Sequence, residues 1–244
     1  MVERDTSVLI RVAAFVVLAA AVVTWDAVAP HLGAVGLWPS VTIVAAAVMP
    51  ATLGLIYLAL PLWSWRWIPV AAAVFGLAAV LTWKADLHLA SNFAKLAAYT
   101  CVGWAFLRLF EQLSWVVLIA AIIPVVDAVS VFAPNGPTHE IVNHHPQVYS
   151  ALAVAFVVPG GGAAGLGPPD ILFFALFLAA AVRWRLRPGW TWVAMTGMYS
   201  LTLVLANAAD ANGLPALPFL SAGFLLANAD LLWRRLRRQP AGAT

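Results

Sequence analysis

LSWVVLIAAIIPVVDAVSVF, Leu113 to Phe132, is a run of almost unbroken apolar character with one carboxylate, Asp127, lying two thirds of the way along it. The hydrocarbon core of a bilayer is about 30 Å thick and takes about 20 helical residues to cross. This run has that length, and a helix apolar on every side belongs in lipid or in a fully enclosed core. An acid at the centre of such a helix costs about 2.5 to 3.5 kcal/mol on insertion scales, so Asp127 is a functional candidate by default.

The rest of the chain has the same character. Of its 244 residues, 64% are hydrophobic and 9% charged, which excludes an ordinary soluble domain. Apolar runs of spanning or near-spanning length are Ser7 to Ala29, Leu37 to Leu62, Trp67 to Trp83, Phe93 to Phe110, Leu113 to Phe132, Asp170 to Val182, Trp190 to Ala209 and Leu214 to Trp233. They predict an all-α polytopic membrane protein of about eight transmembrane helices. The first run is too long for the apolar part of a signal peptide and lacks a clear cleavage site, so it is expected to be retained. The sixth is short unless it extends through Arg183, Arg185 and Arg187, whose long side chains reach the interface.

Of the thirteen Lys and Arg, all but Lys84 and Lys95 fall on one side if the N-terminus is cytoplasmic. The positive-inside rule then predicts both termini in the cytoplasm, with the plasma membrane as the expected residence. Tryptophans 38, 63, 65, 67, 83, 184, 190 and 233 stand at run ends as an interfacial belt. The single cysteine, Cys101, excludes an intramolecular disulfide. No basic patch with interleaved aromatics points to nucleic acid, and no residue pattern calls for a cofactor.

Residues 1–110 form an N-terminal set of helices, and residues 111–244 carry the chemistry. Between them in character is an outer segment, 133–168, without Lys or Arg. Its APNGP (133–137) reads as a turn. VYSALAVAFVVP (148–159) is Val-rich and too short to span, which predicts a strand or re-entrant piece. GGGAAGLG (160–167) reads as a flexible hinge into the sixth helix. Irregular backbone at membrane depth needs cover or water, so a wet cavity is expected nearby.

Most acids lie at run ends or in loops. Asp230 is placed to pair with Arg234 at i+4, and Asp210 ends its run in the polar stretch NAADANG. Asp127 and Asp170 remain, on consecutive antiparallel helices. Two carboxylates facing each other in a poorly solvated pocket share a proton, so one serves as base toward water and the other as acid toward a carbonyl. The same pair also suits a proton relay in a transporter or channel, or hydrogen-bonded acids in a silent scaffold. HEIVNH (139–144) spaces its histidines five apart, which on a helix puts them about 140° apart, too far for one zinc face. GGGAAG (160–165) has the dinucleotide-binding glycine spacing, but prolines follow where a helix should receive the pyrophosphate. No Gly-x-Ser-Gly of the rhomboid kind is present.

Three stretches in order resemble the presenilin and signal peptide peptidase family of intramembrane aspartyl proteases. PVVDAVSVFAPNGPTHEIV (124–142) is similar to the stretch around that family's first catalytic aspartate. GLGPPDILFFALFLAA (165–180) is similar to its Gly-x-Gly-Asp motif, and PALPF (215–219) contains its Pro-Ala-Leu. The likeness covers roughly Leu113 to Trp233. It implies that Asp127 and Asp170 are the catalytic pair, that Gly165, Leu166 and Gly167 shape the site, and that Pro215, Ala216 and Leu217 pack beside it. It also implies a strand for pairing with an extended substrate, for which 150–158 is the expected segment, and transmembrane peptides or proteins as substrates, with a type II orientation.

Three departures from the family pattern stand out. Val126 occupies the position where the family usually has tyrosine, and eight helices are expected where the family has nine. Pro168 and Pro169 separate Gly167 from Asp170. The first proline is expected outside the helix, because a following proline disfavours helical geometry, with Asp170 in the first turn. The helix dipole there favours the anion, which makes Asp170 the expected base and Asp127 its protonated partner.

Overall fold

The computed structural model describes residues 2–33, 35–133, 135–160, 162–209 and 214–238. The chain forms α1 (Val2–Val28), α2 (Leu37–Ile43), α3 (Met49–Ala59), α4 (Ile68–Lys84), α5 (His88–Leu107) and α6 (Leu113–Phe132). Two short helices, α7 (Pro137–His144) and α8 (Pro146–Leu152), precede a hairpin of β1 (Val154–Val158) and β2 (Gly162–Leu166). Three long helices follow: α9 (Pro168–Arg183), α10 (Pro188–Ala208) and α11 (Leu217–Arg238). Prolines mark the first turns of α4, α7, α8, α9 and α10, where the missing N–H has no intrahelical partner to lose.

The protein is mostly helical with one small two-stranded sheet, and each of the apolar runs is helical. Helices α2 and α3 are joined by a π turn, Val44–Val48, into one rod. Pro50 cannot donate at the start of α3; Met49 N–H instead reaches Val44, five residues back, and the Ser200 hydroxyl takes the Ala45 carbonyl at 2.7 Å.

Among the described residues, three stretches are long and apolar enough to cross a bilayer: Val8–His31, Leu37–Leu62 and Leu113–Phe132. Helix α4 is apolar but shorter. The other long helices owe their lower apolarity to polar side chains turned inward: Ser91, Lys95 and Thr100 on α5, Thr191, Thr196 and Thr202 on α10, and Ser221 and Asn228 on α11 are all buried. Lys95, one of the two exceptions to the charge bias, donates to the Ala153 carbonyl at 3.0 Å and lies 4.5 Å from the ring centre of Trp83. It thus places a positive charge at the carbonyl end of α8.

Helix α9 is the centre of the molecule. Every residue from Phe174 to Ala181 is fully buried, with α5, α10 and α11 packed around it. A helix enclosed on all sides reads as apolar all round. The periphery is equally apolar for the opposite reason. On α6, Trp115, Leu118, Ile122, Val125, Val129 and Phe132 form an exposed stripe at helical spacing, and α1 and α4 carry similar exposed faces. Contiguous apolar surface of this extent has no place in water.

Gly103 is where α5 meets α9: a Cβ there would run into the Leu172 carbonyl. Gly103→Val is therefore expected to force these helices apart at a cost of about 1 to 3 kcal/mol, read as a lowered thermal midpoint of the detergent-solubilised protein. A midpoint equal to that of the wild type would show that this close approach is not needed.

Two expectations for the outer segment are corrected. The stretch 148–159 is not one extended piece, because α8 takes its first part and β1 only Val154–Val158. The residues expected to be a hinge, 160–167, contain β2, paired antiparallel with β1 in the register Val154↔Leu166 to Val158↔Gly162. Gly160, at φ 87°, makes the tight turn that sequence reading took for flexibility. The 133–137 turn closes with Gly136 N–H donating to the Ala133 carbonyl at 2.8 Å.

Candidate functional site

Asp127 and Asp170 line one cavity of about 850 Å³. Asp127 comes from α6 and Asp170 from the first turn of α9. Gly165, Leu166, Gly167, Pro215 and Ala216 also line the cavity. Leu217 reaches the site through its backbone.

Each acid is held by a backbone donor at a helix start. The start of α11 presents Leu217 N–H to Asp127 Oδ2 at 3.0 Å, with the Ala216 N–H alongside. The first-turn N–H groups of any helix lack intrahelical acceptors, and here a carboxylate from α6, ninety positions away, supplies one. Pro218 follows Leu217 without loss, since its own N–H would have been an orphan. The Pro-Ala-Leu element thus has a physical role: it aims a helix start at Asp127.

Asp170 turns back on its own helix start, accepting from Gly167 N–H at 3.0 Å through Oδ2. Pro168 and Pro169 both lie inside the first turn, which corrects the expectation that the first would stay in the loop. Neither displaces a hydrogen bond there, so Asp170 is the third residue of α9 and remains in the first turn as expected. Asp127 also faces a helix start, so the helix-dipole argument that singled out Asp170 as base applies to both acids and does not rank them.

The two glycines of the motif are there for room. A Cβ on Gly165 would meet the Tyr149 hydroxyl at 3.0 Å, and one on Gly167 would meet Asp170 Oδ2 at 3.1 Å. One glycine accommodates a tyrosine lying across the strand, and the other the returning carboxylate.

Sequence reading missed two tyrosines. Tyr199 of α10, buried, lines the cavity together with Asp170. Its signal is the inward stripe Thr191, Met195, Tyr199 and Thr202, at helical spacing within an apolar helix. Tyr149 of α8 lines the same cavity and donates to the Gly165 carbonyl at 3.2 Å. Burial, and secondarily the neighbouring Asp170 charge, pushes its phenol above the usual range. By contrast Val126 is 55% exposed on the outer face of α6 and points away from the site.

The other acids are elsewhere. Asp230 pairs with Arg187 through two bonds of 2.7 and 2.8 Å, not with Arg234 as expected, because the start of α10 brings Arg187 alongside α11. Asp210 lies outside the described residues. His144 sits 3.9 Å from Glu140 one turn earlier on α7. Among the described residues, no group of three or more His, Cys, Asp or Glu side chains is gathered as metal ligands are.

No family model matches the chain, and a comparison with curated proteins also finds no match.

Proposed function

We propose that this protein is an intramembrane aspartyl protease that hydrolyses peptide bonds of transmembrane segments. The observation that carries the reading is the joint approach of Asp127 and Asp170 to one cavity, each carboxylate held by a backbone N–H of a helix start. The apolar runs then cross the bilayer about eight times with both termini cytoplasmic, in the plasma membrane, and α9 is sheltered from lipid by its neighbours.

Hydrolysis needs nothing beyond the pair and a water. One carboxylate takes a proton from water as its oxygen attacks the scissile carbonyl carbon, and the other gives its proton to the carbonyl oxygen. The resulting diol collapses as the amide nitrogen takes up a proton and leaves, giving an acid and an amine and restoring the pair to one shared proton. A cavity of about 850 Å³ has room for a peptide segment and its water.

A substrate helix must unwind before water reaches its carbonyls, and strand addition stabilises the unwound form. The hairpin has one edge to offer. Asn92 of α5 engages both polar groups of Ala155, at 3.2 Å each, and Trp25 of α1 donates to the Val157 carbonyl at 2.9 Å. The outer edge of β1 is thereby closed. The docking strand is β2, rather than the 150–158 segment expected from sequence, and it leads directly into Asp170.

The test is binding of a hydroxyethylene transition-state mimic of aspartyl proteases to the purified full chain, followed by thermal shift. Saturable stabilisation lost in Asp127→Asn supports the reading. A mimic that leaves the midpoint unmoved at high micromolar concentration, with no cleavage of transmembrane peptides, would favour a relay or scaffold role for the acids.

A further inference from the structure

In an antiparallel pair, opposite residues alternate between those that bond each other and those whose polar groups point outward. Ala155 and Val157 turn theirs outward, to Asn92 and Trp25. Their partners in register are Gly165 and Ala163. The N–H and C=O groups of Gly165 and Ala163 therefore point to the free edge of β2, at residues that are exposed.

Among the described residues, the hydrogen bond received by that edge comes from Tyr149, whose hydroxyl donates to the Gly165 carbonyl at 3.2 Å. An unpaired strand edge is a template for another strand, and proteins cover such edges with side chains or loops. Tyr149 is carried by α8, whose end is tied to α5 through Lys95 at Ala153 and through the Tyr99 hydroxyl at the Leu152 carbonyl, 2.8 Å away. The tyrosine is thus held in place from outside the hairpin, with its ring across Gly165.

Resting on the protease reading, we infer that Tyr149 is the residue a substrate strand displaces: its hydroxyl holds the acceptor at Gly165 that the incoming backbone N–H must take. Tyr149 acts on substrate entry and register, while the aspartates act on the bond. The exchange replaces one hydrogen bond by another at the same oxygen, so it weakens docking without blocking it. A segment that forms two or more backbone bonds along Ala163 and Gly165 outcompetes a single phenol, whereas one that stays helical offers no free N–H and is refused.

The experiment compares wild type with Tyr149→Phe, which keeps the ring and removes the donor, using a quenched fluorogenic peptide of an apolar transmembrane segment in nanodiscs. The expected result is a KM lowered by about two- to tenfold, the worth of one net hydrogen bond, with kcat within twofold. A matched peptide N-methylated at every residue of the docking segment has no N–H to offer on either edge and should show no difference between the two proteins. An unchanged or raised KM in an enzyme that cleaves overturns the role of Tyr149 and leaves the protease reading standing. If the wild type does not cleave, the protease reading fails, and equilibrium binding of the same peptide by fluorescence anisotropy still decides: tighter binding by Tyr149→Phe supports the edge contact, and equal affinities overturn it.

Discussion

Asp127→Asn and Asp170→Asn each lower cleavage of a transmembrane peptide by roughly 10²- to 10⁴-fold, while the protein folds and inserts as before. Asparagine matches aspartate in size and keeps an oxygen to accept Leu217 N–H or Gly167 N–H, the two bonds of 3.0 Å that tie these side chains to helix starts. What it loses is the capacity to take a proton from water or pass one to a carbonyl. The double variant is expected to be no slower than the worse single one, because the two acids act as a unit. The measurement is initial rate in nanodiscs, with the thermal midpoint as the control for folding. Activity surviving within tenfold in either variant would remove that aspartate from the mechanism.

Tyr199→Phe lowers kcat by roughly ten- to a hundredfold and leaves KM within twofold. The side chain is 5% exposed, so phenylalanine fills the same space, and the change subtracts only a hydroxyl from the wall of the cavity that holds Asp170. A hydrogen bond from this hydroxyl to the Asp170 carboxylate in the working complex would be worth about 1.5 to 3 kcal/mol, which sets the size of the expected loss. Tyr199 is expected to act as a positioning residue, through the orientation of Asp170. Normalising the rate to sites titrated with a tight transition-state mimic separates this from a general loss of folded enzyme. A kcat per titrated site equal to that of the wild type would retire Tyr199 from the site.

The long helices were legible because their signals are local. A run such as Leu113–Phe132 declares itself by length and apolarity, and prolines at 69, 137, 146, 168, 169 and 188 mark first turns. Asp127 and Asp170 stood out because charge within such runs is costly. The motif glycines and Pro-Ala-Leu were placed beside the acids by resemblance; Gly165, Leu166, Gly167, Pro215 and Ala216 line the cavity that holds both acids. The hairpin was half-read: Val154–Val158 has β-branched residues, whereas the Gly and Ala of 162–166 carry no strand signal of their own. They form β2 because β1 offers them a ladder.

Tyr199, Tyr149, Asn92 and Lys95 belong to the part that sequence reading could not reach. In the linear chain Lys95 is an inconvenient charge and Asn92 an unremarked amide, and their roles depend on carbonyls 58 and 63 positions away. The same holds for Asp230, whose neighbour at i+4 was the obvious partner and whose actual partner, Arg187, is 43 positions off.

The chain's own residues determined that it makes long apolar helices, where most of them start, and which two acids lie within them, since each of these follows from spacing and solvation within a few turns. Tertiary structure alone decided that both acids share a cavity, which helix starts hold them, and which edge of the hairpin stays open. Those outcomes depend on surfaces that become neighbours only after the helices pack around α9, and no local pattern encodes a contact made across tens of residues.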